Sequence, residues 1–397
     1  MVAGFDGSRA FVKNRTGTEN YSYQLLKNLA KIDQKNQYVV YLRPGNEVKE
    51  KWPSNFEFKV LNYPRLWTQI GLAKQTFQDK LDVLFVPAHT LPIVRRPGLK
   101  TVVTVHDLGS EFLPKTHQIK QRLYLSFMQQ VQLKGATKLI AVSKATKNDL
   151  VQKIGLDPKK IEVVYEGFDK NLFKPVKNLS RATYPELYRR KSRDDALVNS
   201  LKQFGLRPKE YFLFVGTIQP RKNLERLIKA FGLIARRPVA TQPRSAPPLT
   251  TRLVLVGSKG WLSEEIYELP RKLGIEKQVK FLGRVDDEDL PALYSGAIAL
   301  VFPSLFEGFG LPILEAQACQ VPVITSNLSS MPEVAGPPAS GGAILVDPYS
   351  EKEIANAMIK VINPKVRADL IKKGLQNLKR FSWEKCARET LKVLLSS

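Results

Sequence analysis

Cysteine and histidine are scarce in this chain of 397 residues, with two of the first and three of the second. Two isolated thiols, Cys319 and Cys386, supply neither a disulfide framework nor a metal cluster, and both fall within helical patterns. That usage fits a reducing cytoplasm. Long apolar runs are missing too. None approaches the roughly 18 residues of a membrane-spanning helix. The opening MVAGFDGSRA lacks the charged start and apolar core of a signal peptide. Neither G-x-G-x-x-G after a first strand nor G-x-x-x-x-G-K-[ST] occurs, which disfavours nicotinamide cofactors and P-loop chemistry. Zinc-finger spacing, an RNP-type aromatic box and a dense arginine tract are also absent, so nucleic acid is not expected as a partner.

Acidic residues are in deficit. Lys and Arg number 62 against 37 Asp and Glu, a net charge of +25. Residues 1–200 carry 34 basic and 18 acidic side chains, and the remainder 28 and 19. An excess of this kind serves solubility, or attraction to an anionic membrane surface or a lipid-linked acceptor.

Short apolar runs recur, each followed by helical periodicity. In the first half they are Tyr38–Leu42, Phe56–Leu61, Val83–Val86, Thr101–Val105, Leu139–Val142 and Ile161–Val164. In the second they are Tyr211–Val215, Leu253–Val256, Val279–Leu282, Ile298–Phe302, Val321–Thr325 and Ala343–Val346. Most are apolar throughout, as strands covered on both faces are, so the fold class is α/β with parallel sheets. The pattern occurs twice, and 397 residues exceed one core, so two Rossmann-like domains are expected. Residues 1–172 form the first and 209–380 the second. The polar stretch 173–208 reads as a linker or insertion, and 381–397, with Trp383–Leu395 at helical spacing, as a terminal helix. Arg236–Arg252, with four prolines, reads as a surface loop. Lys115–Lys134 has helical spacing that suits a core face or a membrane surface.

The densest chemistry lies in Glu307-Gly-Phe-Gly-Leu-Pro-Ile-Leu-Glu315. Gly308 and Gly310 disfavour helix, and Pro312 marks a helix start. Glu307 then sits in a turn and Glu315 one turn into the helix. Backbone N–H groups at such a start attract an anion, and flanking carboxylates accept hydroxyls. A nucleotide sugar carries both groups. Arg221 and Lys222, at the turn between the Tyr211–Val215 run and an amphipathic Leu224–Ala235, suit a diphosphate. His106 follows the Thr101–Val105 run and is placed at the mouth of the first sheet, pointing into a cleft; a helix-capping role is the alternative. His89 shares that ambiguity, and His117 reads as exposed. Gly17, in Asn14–Asn20, permits close approach of backbone to phosphate or sugar, or forms an ordinary turn. Asp287-Glu288-Asp289 matches D-x-D, but acids at a helix start serve as caps, and no metal site is expected.

Taken together, Gly216…Pro220-Arg-Lys-Asn223, Gly283-Arg-Val285, Pro303-Ser304, Glu307–Glu315 and Ser326…Pro332-Glu333-Val334 resemble family 4 glycosyltransferases, most closely the mannosyl-transferring branch. His106-Asp107, Val142-Ser143 and Phe381-Ser-Trp383 extend the likeness. The resemblance implies GT-B architecture: two facing Rossmann-like domains with the active site in the cleft between them. It implies acceptor binding by the first domain, donor binding by the second, and a terminal helix returning to the first. By the same likeness Glu307 meets sugar hydroxyls, Glu315 the ribose, Arg221 and Lys222 the diphosphate, and His106 the transferred sugar. Val285 and Leu311 lie by the base and phosphates, and Gly17, Thr217, Gly308, Phe309 and Gly310 complete the donor set. The family retains anomeric configuration, usually without metal or cofactor. GDP-mannose is the expected donor, a UDP-hexose the next. The acceptor is expected to be a saccharide or a lipid-linked one, with the protein cytoplasmic or peripheral at the membrane's inner face. Thr217 stands where relatives often carry arginine. A non-catalytic subunit that holds nucleotide sugar, and an epimerase on the same fold, are the alternatives.

Overall fold

A computed structural model describes residues 1–13, 15–63, 65–88, 90–108, 131–176, 194–235, 251–336 and 341–397. His89, His117, most of Lys115–Lys134 and most of Arg236–Arg252 lie outside these. The chain divides into two compact units, Met1–Gly167 with Phe381–Ser397, and Phe168–Arg380. The second unit therefore takes in 168–172 and the stretch read as a linker, where a helix runs from Asp194 to Lys202.

Each unit is built on one fully parallel sheet. In the first, β1 (Val2–Asp6), β2 (Gln37–Leu42), β3 (Phe56–Val60), β4 (Val83–Val86), β5 (Lys100–Val105), β6 (Lys138–Ala141) and β7 (Ile161–Val163) stand in the order β3-β2-β1-β4-β5-β6-β7. In the second, β8 (Tyr211–Val215), β9 (Arg252–Val256), β10 (Val279–Gly283), β11 (Leu300–Phe302), β12 (Val323–Ser326) and β13 (Ile344–Val346) stand in the order β10-β9-β8-β11-β12-β13. The apolar runs become strands because both of their faces are covered. Every residue of β4 and β11 is buried. β12 starts at Val323 rather than Val321, and Pro322, which has no N–H for the ladder, gives only its carbonyl, to Leu300 N.

In both sheets the strand order reverses once, at β1/β4 and at β8/β11. Open parallel sheets bind ligands outside the carboxyl ends of the strands at such a reversal. The turn carrying Arg221 and Lys222 leaves β8, and the turn carrying Glu307 leaves β11. Topology thus places the two turns side by side, although 85 residues separate Lys222 from Glu307 in sequence.

The terminal helix Trp383–Leu395 belongs to the first unit and packs on the helix Gly17–Ile32. Trp383, Cys386, Ala387, Val393 and Leu394 share a core with Tyr21, Leu25 and Leu29. Ser382 caps it, its side chain accepting from Lys385 N at 3.1 Å. Of the acids before Leu290, Asp289 does not act as the expected cap. Asp289 precedes the helix Leu290–Gly296 without a side-chain capping bond, and accepts from Gln203 Nε2 at 3.1 Å instead.

Candidate active site

The turn after β8 begins at Gly216 and closes through a short 3-10 segment, Pro220–Lys222. Asn223 ends it in the left-handed region, φ 61°, which asparagine tolerates better than most residues. Its Nδ2 donates to the carbonyls of Pro303 (3.1 Å) and Pro348 (2.6 Å), so the same residue ties the turn to the loop leaving β11. Leu305 N donates to Arg221 O at 2.9 Å, a second tie.

These ties bring three charges into contact. Lys222 Nζ lies 2.5 Å from Glu307 Oε1, and Arg221 Nη1 lies 3.4 Å from Glu307 Oε2 and 3.2 Å from Phe306 O. Lys222 and Glu307 are 8% and 7% exposed, so this pair is shielded from solvent. Lys222 Nζ also stands 5.2 Å from the centre of the Phe302 ring, which stacks on Phe214. A buried ion pair adds little net stability, but removing one partner strands the other, at about 3–5 kcal/mol. The arrangement holds a carboxylate and two cations ready for a ligand with hydroxyls and phosphates.

The Glu307 turn is braced from behind. Ser329 Oγ and Ser330 Oγ donate to Glu307 O at 2.6 and 3.0 Å, and Ser330 Oγ reaches Phe309 O at 2.8 Å. Gly308 and Phe309 are buried. Gly310, at φ 107°, then swings the chain into the helix Leu311–Ala318 without a side-chain cap. Only a residue without Cβ takes that conformation readily. The N–H of half-buried Leu311 is among those that a helix start leaves without an intrahelical partner.

Glu315 has a partner of its own. Tyr294 Oη donates to Glu315 Oε2 at 2.6 Å. The residue is half-buried with its carboxyl end enclosed, and burial pushes that carboxyl up to about 7; the Tyr294 bond opposes the rise and Asp287 adds to it. Between the ordinary carboxylate value and about 7 the folded chain holds a proton that the unfolded chain has released. Stability from this group therefore falls as pH rises through that window, by roughly 3–4 kcal/mol. Unfolding free energies between pH 5 and 8 are expected to show the decline, and Glu315→Gln to flatten it; an unchanged slope in the variant contradicts the assignment.

Glycine backbones form the neighbouring rim. Gly216 N donates to Val256 O, and Gly257 N to Gly283 O, each at 2.8 Å, linking the ends of β8, β9 and β10. Thr217 is exposed on this rim and Val285, just past β10, is half-buried.

Two of the expected residues belong to the first unit. Gly17 does not form a plain turn. It opens the helix Gly17–Ile32 behind a capping box of Thr16 and Glu19, and a Cβ added there would meet nothing within 4 Å. His106 follows β5 at the carboxyl edge of its sheet, but its ring is turned inward. Nδ1 lies 3.1 Å from Glu166 Oε1 and Nε2 2.9 Å from Pro87 O. Glu166 was overlooked in the sequence, although it follows the Ile161–Val164 run as His106 follows its own. Tyr294, Ser329 and Ser330 were also missed, because bracing of this kind leaves no spacing signal. Among the described residues no group of three or more His, Cys, Asp or Glu is placed to hold a metal.

Known proteins agree with this construction. Residues 15–172 match the model for Glycosyltransferase Family 4, and residues 199–377 the model for Glycosyl transferases group 1. The chain belongs to glycosyltransferase family 4. O-antigen chain mannosyltransferase B of Escherichia coli is 37% identical over 192 residues, which are 48% of this chain and 47% of that protein. The chain spans about half the length of the curated relatives it matches. Among solved structures, sucrose-phosphate synthase of Thermosynechococcus elongatus superposes with a TM-score of 0.73 at 20% identity, over 99% of this chain and 98% of that one. Anabaena HepE in complex with UDP-glucose gives 0.70 at 19%, over 100% and 99%. These likenesses are of fold, and the fold is GT-B.

Proposed function

We propose that this chain is a retaining hexosyltransferase that moves mannose from GDP-mannose to a saccharide or lipid-linked acceptor in surface polysaccharide synthesis. The observation that carries the reading is the contact of Arg221, Lys222 and Glu307 at the β8/β11 reversal, beside the uncapped start of Leu311–Ala318. Arg221, Lys222 and the helix start neutralise the diphosphate, work that needs no metal ion, and stabilise the charge that grows as it leaves. Glu307 then orients the hexose through its hydroxyls and Glu315 accepts from the ribose. The acceptor oxygen bonds to the anomeric carbon as the carbon–oxygen bond to the diphosphate breaks. The electron pair stays on the departing phosphate oxygen, which takes the acceptor's proton. The first unit holds the acceptor.

The mannose preference rests on the 37% identity to an O-antigen mannosyltransferase, and a UDP-hexose is the second choice because HepE was solved with UDP-glucose. Thermal unfolding with a panel of nucleotide sugars tests this. At 100 Kd a bound donor adds about 2.7 kcal/mol. GDP-mannose is expected to raise Tm most; a panel in which no nucleotide sugar raises it contradicts the reading.

No described helix is long and apolar enough to cross a membrane. An anionic bilayer at the cytoplasmic face is supported as a partner by the +25 charge and by Leu66, Ile70 and Phe77, 66%, 46% and 52% exposed, beside exposed Lys74. Salt-sensitive retention on vesicles containing anionic lipid is expected, and no retention at low salt excludes it.

A further inference from the structure

The amino edge of the second sheet carries charges that hexose transfer does not use. Tyr211 opens β8, Arg252 opens β9 and Gln278 precedes β10, so all three stand at the end of the parallel sheet away from the turns that carry Lys222 and Glu307. The five residues of β8 separate the two edges by roughly 16 Å. With Lys202 and the turn 205–210, these strand starts line a groove of about 990 Å³. Small-molecule sites run from about 300 to 1,000 Å³.

Lys202, Arg207, Arg252 and Lys277 line this groove against one acid, Glu210. The four cations are exposed and Glu210 is half-buried. Among the described residues none of these side chains is in an ion pair. The end of the helix Asp194–Lys202 explains part of the gathering, because carbonyls at a helix C-terminus attract cations. Arg252 Nη1 donates to Gly205 O at 2.8 Å, and Lys280 Nζ to Phe204 O at 2.5 Å. Arg207 and Lys277 make no such bond and come from two other turns. Cations left without a counter-ion repel one another, and a cleft lined by one sign focuses its field on an ion of the other. The rest of the lining is apolar. Tyr211 is fully buried with its hydroxyl spent on Leu293 O at 2.6 Å, Leu206 is buried, and Val198 and Pro208 are half-buried.

We propose that this groove binds a soluble organic phosphate with more than one negative charge, its phosphates on Arg207, Arg252 and Lys277 and its apolar part against Leu206 and Pro208. Guanidinium groups take phosphate oxygens in pairs, and lysine adds a point charge. Arg252 is held in place for this by its bond to Gly205 O. A lipid headgroup fits less well, because none of the exposed large hydrophobic residues lines the groove and nothing there would enter a bilayer. An acidic protein segment would spread its charges along a surface, whereas these cations surround one bounded space. The site lies outside the transfer reading and does not depend on it.

Calorimetric titration with inorganic pyrophosphate, on the wild type and on Arg207→Gln/Lys277→Gln, tests the site. Both side chains are exposed, and both proteins keep Arg221 and Lys222, so the difference between the titrations isolates the groove from the donor turns. A lost charge-assisted contact costs about tenfold or more in affinity. The wild type is expected to show a binding component that the double variant weakens by about 100-fold, and to keep it at about 0.15 M salt. Identical titrations overturn the proposal. A difference that this salt abolishes overturns it too, since general surface charge then suffices. A glutamate-rich peptide that binds the wild type more tightly than pyrophosphate, and the variant weakly, reassigns the groove to an acidic partner protein. Retention on phosphatidylglycerol vesicles that falls in the variant reassigns it to a lipid headgroup. If the double variant does not fold, Lys277→Gln alone carries the comparison, with about a tenfold loss expected.

Discussion

Glu307→Gln is expected to lower hexose transfer by about 100-fold or more while tightening nucleoside diphosphate binding relative to the wild type. The two effects separate because the side chain faces two ways. Toward the protein, Glu307 compensates Lys222 at 2.5 Å and Arg221 at 3.4 Å. Toward the donor, in the proposed transfer, it orients hydroxyls of the hexose. Glutamine keeps the shape and one accepting oxygen, and it frees both cations for phosphate. The stranded ammonium of Lys222 costs stability in the empty protein, about 3–5 kcal/mol, and a bound diphosphate restores a partner. The variant is therefore expected to melt lower than the wild type when empty and to recover more on adding nucleoside diphosphate. Steady-state rates with calorimetric binding of the diphosphate check both halves. Transfer within a few-fold of wild type removes Glu307 from the mechanism.

Gly257→Ala carries the second large effect, and it acts through backbone alone. Gly257 has φ 149°, and a Cβ built on it would lie 2.0 Å from Gly216 O and 2.6 Å from Gly216 C. No real contact is that short, and the obstacle is backbone rather than a flexible side-chain tip. Either the end of β9 or the turn leaving β8 has to move. A strained dihedral and overpacking each cost about 1–3 kcal/mol, so a loss of roughly 3 kcal/mol or more is expected. The displaced turn is the one that carries Arg221 and Lys222, so donor affinity is expected to fall with stability. Gly274→Ala is the control: it too has positive φ, 64°, but open space around the added Cβ. Denaturant unfolding and donor titration of the two variants give the comparison. Equal behaviour contradicts the claim that close approach of the β8 and β9 turns shapes the site.

Much of this architecture is legible in the sequence for a simple reason. Strands covered on both faces must be apolar along their whole length, as Val83–Val86 and Tyr211–Val215 are. The Glu307 turn is equally readable, because Gly308, Gly310 and Pro312 each restrict the backbone in a different way. The helices Leu224–Ala235 and Trp383–Leu395 have the bounds that their spacing indicates.

What stays hidden is the set of contacts that only strand order creates. Local pattern does not say that β8 lies beside β11, so the pairing of Lys222 with Glu307 could not be read, although each residue could. Tyr294 reads as an ordinary apolar position of a short helix until its hydroxyl is seen 2.6 Å from Glu315. Ser329 and Ser330 carry no motif of their own, yet both hold Glu307 O. The inward turn of the His106 ring depends on Glu166 and Pro87, which come from two other strand ends. Sequence shows which end of a sheet a residue occupies, and packing decides the way it faces.

The most direct test of the donor site is a crystal structure of this chain with GDP-mannose or a UDP-hexose bound. The diphosphate is expected within hydrogen-bond distance of Arg221, Lys222 and Leu311 N, with Glu307 on the hexose and Glu315 on the ribose. A donor bound away from the turns that leave β8 and β11 would contradict the account.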